Sequence, residues 1–142
     1  MALIVQKFGG SSVADADKIR NVARIIVDTY QKGNSVVAVL SAQGDTTDDL
    51  IEKAAEINPA ASKRELDMLL STGEQISCAL CAMAIEGMGF PVVSLTGWQA
   101  GFRTNSSYGN ARIKRVQGER IRAELDRRRI VIVTGFQGLN KY

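Results

Sequence analysis

The chain contains no histidine among its 142 residues. That absence excludes every Ser-His or Cys-His nucleophile pair and every His-ligated metal site within it. Cysteine is nearly as scarce, with Cys78 and Cys81 forming a single C-x-x-C. No second C-x-x-C and no histidine stand ready to complete a zinc site. The run from Ile76 to Ala84 is apolar and helical in pattern, so two structural thiols one turn apart on a packed face are expected rather than a redox pair. No run of about 18 apolar residues occurs, so no membrane span is expected. The opening run Ala2 to Val5 is too short for a signal-peptide core and lacks a basic leader. A soluble chain that stays where it is made, in the cytoplasm, is therefore expected.

What is present suits a folded chain. Hydrophobic residues make up 45% and charged residues 23%, an ordinary globular mix. The length is that of one domain, or of one lobe of something larger. The net charge of +3 is unevenly spread: residues 103–129 hold nine basic and three acidic side chains. Such a surplus attracts anions, nucleic acid among them. Residues 109–129 contain no aromatic side chain on which bases would stack, so solvated charges are the simpler reading and no nucleic-acid partner is expected.

Strand-like and helical patterns alternate along the chain. Leu3 to Phe8 is a β-rich run ending at Gly9-Gly10. Ile19, Val22, Ala23, Ile25, Ile26 and Tyr30 then recur at helical spacing, with Asp15 or Ser12 as N-cap and Gly33 as terminator. Ser35 to Leu40 is apolar without alternation, as in a strand covered on both faces. Gly44 to Asp49 reads as a polar turn, and Leu50 to Ile57 as a short helix ended near Pro59. Lys63 to Leu70 and Gly73 to Met88 read as two further helices, and Pro91 to Thr96 as a buried strand. Trp98 to Asn110 reads as a loop, Gln117 to Arg128 as an amphipathic helix with Ile121 and Leu125 inward, and Arg129 to Thr134 as a last strand. The order argues an α/β layered sandwich with a mainly parallel sheet.

Three small-polar segments carry chemistry. Lys7-Phe8-Gly9-Gly10-Ser11-Ser12 follows the first strand. Its glycines let backbone approach an anion, a following helix N-terminus would offer N–H groups, and Lys7 adds a charge. It lacks the P-loop pattern G-x-x-x-x-G-K-[ST], and a tight turn with an exposed lysine is the plainer alternative. Ser41-Ala42-Gln43-Gly44-Asp45-Thr46-Thr47-Asp48 follows the second strand, where Thr46 or Thr47 would otherwise be a simple N-cap. Ser71-Thr72-Gly73-Glu74 places Glu74 in the first turn of a helix, where an acidic residue would otherwise only complement the dipole.

Together these segments resemble, in order, the signatures of aspartokinases, members of the amino-acid-kinase superfamily. Gln99-Ala100-Gly101-Phe102-Arg103-Thr104 and Gly135-Phe136-Gln137-Gly138 continue the resemblance, which covers essentially all 142 residues. Ser11 stands where the family more often has threonine, which keeps a hydroxyl. The resemblance implies an amino-terminal lobe of the catalytic domain over residues 1–142. The family's later Gly-rich motif, nucleotide-binding lobe and regulatory domains are expected beyond Tyr142.

By the same resemblance the reaction would be phosphoryl transfer from ATP, with Mg²⁺, to the side-chain carboxylate of L-aspartate. The product, 4-phospho-L-aspartate, opens lysine, threonine and methionine biosynthesis. An ionised carboxylate needs no general base, which accords with a chain lacking histidine. Lys7 would sit on the γ-phosphoryl oxygens, and the Gly9, Gly10 and Ser11 amides would cradle phosphates. Glu74 would accept from the substrate α-ammonium, with Ser41 and Thr47 hydrogen-bonding the substrate. No protein metal ligand is assigned within the chain. The 142-residue chain alone is expected to be inactive, and the alternatives are a non-catalytic fragment of such an enzyme and another member of the superfamily. The last strand, Arg129 to Thr134, is expected to leave an uncovered edge through which the chain associates with itself.

Overall fold

A computed structural model describes residues 2–104 and 113–135. Six strands and four helices run in the order β1 (Leu3–Phe8), α1 (Ala16–Gln31), β2 (Ser35–Leu40), α2 (Thr46–Ile57), α3 (Lys63–Gly87), β3 (Val92–Leu95), β4 (Phe102–Thr104), β5 (Ile113–Val116), α4 (Glu119–Asp126) and β6 (Ile130–Thr134). A four-stranded sheet has the order β1-β2-β6-β3, every neighbouring pair parallel. The antiparallel pair β4-β5 stands apart.

Parallel pairing demands crossovers, and α1 and α3 cover one face of the sheet. There Ile19, Val22, Ala23 and Ile26 of α1 and Cys78, Cys81 and Ile85 of α3 close on Val36, Ala38, Leu40, Ile130 and Ile132. On the other face Leu125 of α4, Ala100 and Phe102 cover Val37, Val131 and Val133. Every residue of β6 is buried, the reason β6 reads as an unbroken apolar run rather than an alternating one. Asp15 caps α1, accepting from the Lys18 amide at 2.9 Å, and Gly33 takes the left-handed φ of +91° past its end, as helix termination requires.

The structure corrects several readings of the sequence. Residues 44–49 are not all turn, because α2 already begins at Thr46. Asp48 and Asp49 lie in its first turn, where carboxylates favour the helix dipole; their polarity hid a helix start. The two helices read around Gly73 are one, α3. The Ser71 and Thr72 hydroxyls donate back to the Met68 and Leu69 carbonyls at 2.8 and 2.7 Å, so both are satisfied inside the helix. Fused, α3 is long and apolar enough by length and composition to cross a membrane, although two separate pieces are not. Here it packs against α1, α2, β3 and β6 as a core helix.

The remaining corrections concern the later strands. The stretch read as a loop from Trp98 contains β4; its residues 105–110 lie outside the described ones. The last strand is not an edge. β6 inserts between β2 and β3, since a crossover is free to leave a slot that later chain fills. Among the described residues the edges of this sheet are β1 and β3. Finally, the basic stretch is not simply solvated. Arg120 and Arg129 bond the Glu124 carboxylate at 3.1 and 2.8 Å and Arg127 lies 3.6 Å away, while Glu124 itself is 2% exposed. Burial pushes the Glu124 carboxyl up, but hydrogen bonds and charge from Arg129 and Arg120 outweigh it and hold its pKa below the ordinary value.

Candidate active site

The strand register brings the sequence motifs to one end of the sheet. Lys7 and Phe8 lie beside Val39 and Leu40, and Leu40 lies beside Thr134. The chain therefore leaves β1, β2 and β6 side by side at their carboxyl ends, where parallel α/β sheets bind ligands. The Ser41 amide donates to the Phe8 carbonyl at 3.1 Å, and the Gly135 amide to the Leu40 carbonyl at 3.0 Å. These bonds carry the sheet pairing one residue into the loops.

The first loop holds Lys7 and Gly9 exposed and Gly10 half-buried, with Ser11 exposed. Gly9 is extended and precedes a single 3₁₀ turn, Gly10–Val13. The expected passage straight into a helix N-terminus is not what forms. The α1 N-terminus lies beyond this turn and is occupied by the Asp15 carboxylate. What Gly10 supplies instead is closeness: a Cβ there would lie 2.9 Å from the Ala42 carbonyl oxygen, and the Gly44 amide donates to the Gly10 carbonyl at 2.9 Å. The first and second loops are thus locked backbone to backbone, which no side chain at position 10 would permit.

The third motif joins from α3. A Cβ on Gly73 would stand 3.1 Å from the Ala42 Cβ and 3.3 Å from the Thr46 Cγ2, so its glycine serves packing rather than a turn. One residue on, Glu74 is half-buried near the end of β6, its Oε1 3.6 Å from where a Gly135 Cβ would stand. Glu74 is therefore mid-helix, and the expected first-turn dipole role does not apply. Burial pushes its carboxyl from 4.5 up to about 7. One turn further along α3, burial first, and the Glu74 and Cys81 charges after it, push the Cys78 thiol up to about 12; burial does the same to Cys81. Both thiols are unpaired and buried, as the sequence implies.

Lys7, Gly9, Gly10, Ser41 and Glu74 thus converge at the strand ends. Thr47 is set apart: it is exposed in the first turn of α2, and it is Thr46 that touches Gly73. Phe136, Gln137 and Gly138 lie outside the described residues. Two contributors escape sequence reasoning. Ala42, 8% exposed, is the small residue on which the first two loops and α3 meet. Thr134 accepts from the Gly97 amide at 2.9 Å, tying the loop after β3 to the end of β6. Only the strand register, unknown from sequence, reveals that second contact.

The parallel sheet carries a glycine-bearing loop, a lysine and a half-buried carboxylate at its carboxyl end, and the amino acid kinase family matches residues 2–142. The chain belongs to that family. Within it, the chain is 57% identical over 141 residues to the aspartokinase of Corynebacterium glutamicum and 54% identical to that of Geobacillus stearothermophilus. Each match takes in 99% of this chain. The chain spans about a third of the length of the curated relatives it matches, 34% and 35% of these two. Among solved structures it superposes on aspartate kinase from Synechocystis with a TM-score of 0.81 and 43% identity, covering 96% of this chain and 22% of that one.

Proposed function

We propose that the chain is the amino-terminal lobe of an aspartokinase catalytic domain and that the assembled site transfers the γ-phosphoryl group of ATP to the side-chain carboxylate of L-aspartate. The observation that carries this reading is the meeting of Lys7, Gly9-Gly10, Ser41 and Glu74 at the ends of β1, β2 and β6. The aspartokinase relatives, at 54% and 57% identity, support it.

An ionised carboxylate oxygen of aspartate attacks Pγ, the bond from Pγ to the bridging oxygen breaks, and ADP leaves with that electron pair. No proton moves, so the catalytic demand is position and charge. Lys7, extended from a strand end, neutralises charge on the transferring group, and the Gly9, Gly10 and Ser11 amides hold phosphate oxygens. Glu74 accepts from the α-ammonium of aspartate, with Ser41 as a further polar contact. Mg²⁺ belongs to this reading as the counter-ion of the nucleotide phosphates, where it supplies further charge neutralisation. The product enters the synthesis of lysine, threonine and methionine, and the reaction is cytoplasmic. The chain associates with further copies of itself, and neither nucleic acid nor membrane is a partner.

The test is purified protein with ATP, Mg²⁺ and L-aspartate, the acyl phosphate being trapped with hydroxylamine. Aspartate-dependent hydroxamate that disappears in Lys7→Ala supports the reading; product from a different acceptor, with aspartate inert, points to another member of the family. A second reading follows from the one-third coverage of the relatives. In it the 142-residue polypeptide binds ligand without turnover, and titration calorimetry without product formation distinguishes it.

A further inference from the structure

The proposed reaction uses one end of the sheet; the opposite end carries a second cleft. About 460 Å³ in volume, within the range of small-molecule sites, it lies where β2 and β6 begin. Tyr30, Ser35, Arg122, Asp126, Arg128 and Arg129 are among its walls. Arg129 is held by Glu124 at 2.8 Å. Arg122 and Arg128, in contrast, have no ion-pair partner among the described residues. Asp126 is the acidic residue in the wall, against three guanidinium groups.

The backbone that presents Arg128 is pinned on both sides. Its amide donates to the Leu125 carbonyl at 2.9 Å, and its carbonyl accepts from the Tyr30 hydroxyl at 2.8 Å. Between those anchors Arg128 has a left-handed φ of 62°, the one positive value at a non-glycine among the described residues. Glycine would suit this position with less strain, yet the residue here is a long cation at the rim of a cleft. With the Arg129 amide donating to the Glu124 carbonyl at 3.1 Å, this is the left-handed residue that closes α4, and it sets Arg128 at the rim of the cleft. The tether also fixes where the guanidinium starts, which lowers the entropy lost on capturing a ligand.

We infer that this cleft binds a small multiply charged anion, a polycarboxylate or a phosphorylated compound, between Arg122 and Arg128, at a site separate from that of phosphoryl transfer. Guanidinium pairs grip such groups bidentately. The site also gives a use to Arg122 and Arg128, which neither Glu124 nor the reaction accounts for.

Citrate and inorganic phosphate, titrated separately into the isotopically labelled 142-residue chain and followed by amide chemical shifts, test this and separate the two ligand sources. Saturable shifts are expected at Gly33, Ser35 and Arg128. Arg128→Gly should keep or raise thermal stability, because glycine accepts the left-handed backbone. Combined with Arg122→Ala, it should weaken cleft binding at least tenfold. Saturable shifts confined to Lys7–Ser12, non-saturating shifts shared with Arg20 and Arg24, or undiminished binding in the double variant would each overturn the inference.

Discussion

Glu74 shows how much one side chain can register. Its folded pKa of about 7 lies above the ordinary 4.5, so the folded state holds a proton that the unfolded chain has released. Stability is therefore fullest below the unfolded value and declines as pH rises through 4.5 towards 7, with the penalty for burying the ionised form complete above that. Glu74→Gln removes the penalty. Urea unfolding should show the variant gaining stability over the parent at pH 8 and little or nothing at pH 5. Function should move oppositely: the α-ammonium of aspartate needs the ionised carboxylate, so aspartate affinity falls below about pH 7 in the parent and loses that dependence in Glu74→Gln, with nucleotide affinity nearly unchanged. Lys7→Ala tests the other half of the site. In the complete enzyme, loss of a preorganised charge donor should lower kcat by about 10²–10³-fold, read in the hydroxamate assay.

At the scale of elements, α3 separates glycines of two kinds. Gly87, its last residue, has nothing within 4 Å of an added Cβ, so Gly87→Ala should stabilise by about 0.5–1 kcal/mol through helix propensity. Gly73→Ala gains the same propensity but presses on Ala42 and Thr46 at 3.1 and 3.3 Å. Thermal unfolding should place it at least about 1 kcal/mol below Gly87→Ala, overpacking offsetting the propensity gain. The α4–β6 corner offers a third comparison. Glu124→Gln withdraws the one buried carboxylate from arginines whose side chains are 42% to 66% exposed. Water takes over part of their solvation, so a loss of about 1–3 kcal/mol is expected by chemical denaturation. The same element shows what sequence can and cannot deliver. Leu3 to Phe8 and Ser35 to Leu40 are legible to the residue, because apolar runs between glycines or polar turns have few other interpretations. The join at Ser71 to Gly73 is not, because hydroxyls and a glycine that mark a turn locally are satisfied here by back-bonding and by a neighbour 31 positions away. That Lys7, Gly10 and Ser41 lie at or just past strand ends was legible from the motifs; that Ala42 is their meeting point needs the fold.

For the molecule as a whole, the exposed side of β1 stands out. Leu3 and Val5, 49% and 64% exposed, project from an edge strand and expose apolar surface. Association of this chain should be concentration-dependent in sedimentation, and Val5→Lys should shift it towards monomer. The strand order has a further consequence, for the time at which the fold becomes possible. Among the described residues β6 is the last strand of the sheet to be synthesised and the one that joins β2 to β3. As the polypeptide leaves the ribosome, β1 and β2 can pair early, but β3 has no partner until residues 130–134 have emerged. Until then the slot between β2 and β3 presents two unpaired apolar margins. Folding of this sheet is thus a step taken near the close of synthesis of these residues, not a progressive growth. A nascent chain arrested before Ile130 should be protease-sensitive throughout α3 and β3, becoming protected only once Thr134 is free of the exit tunnel.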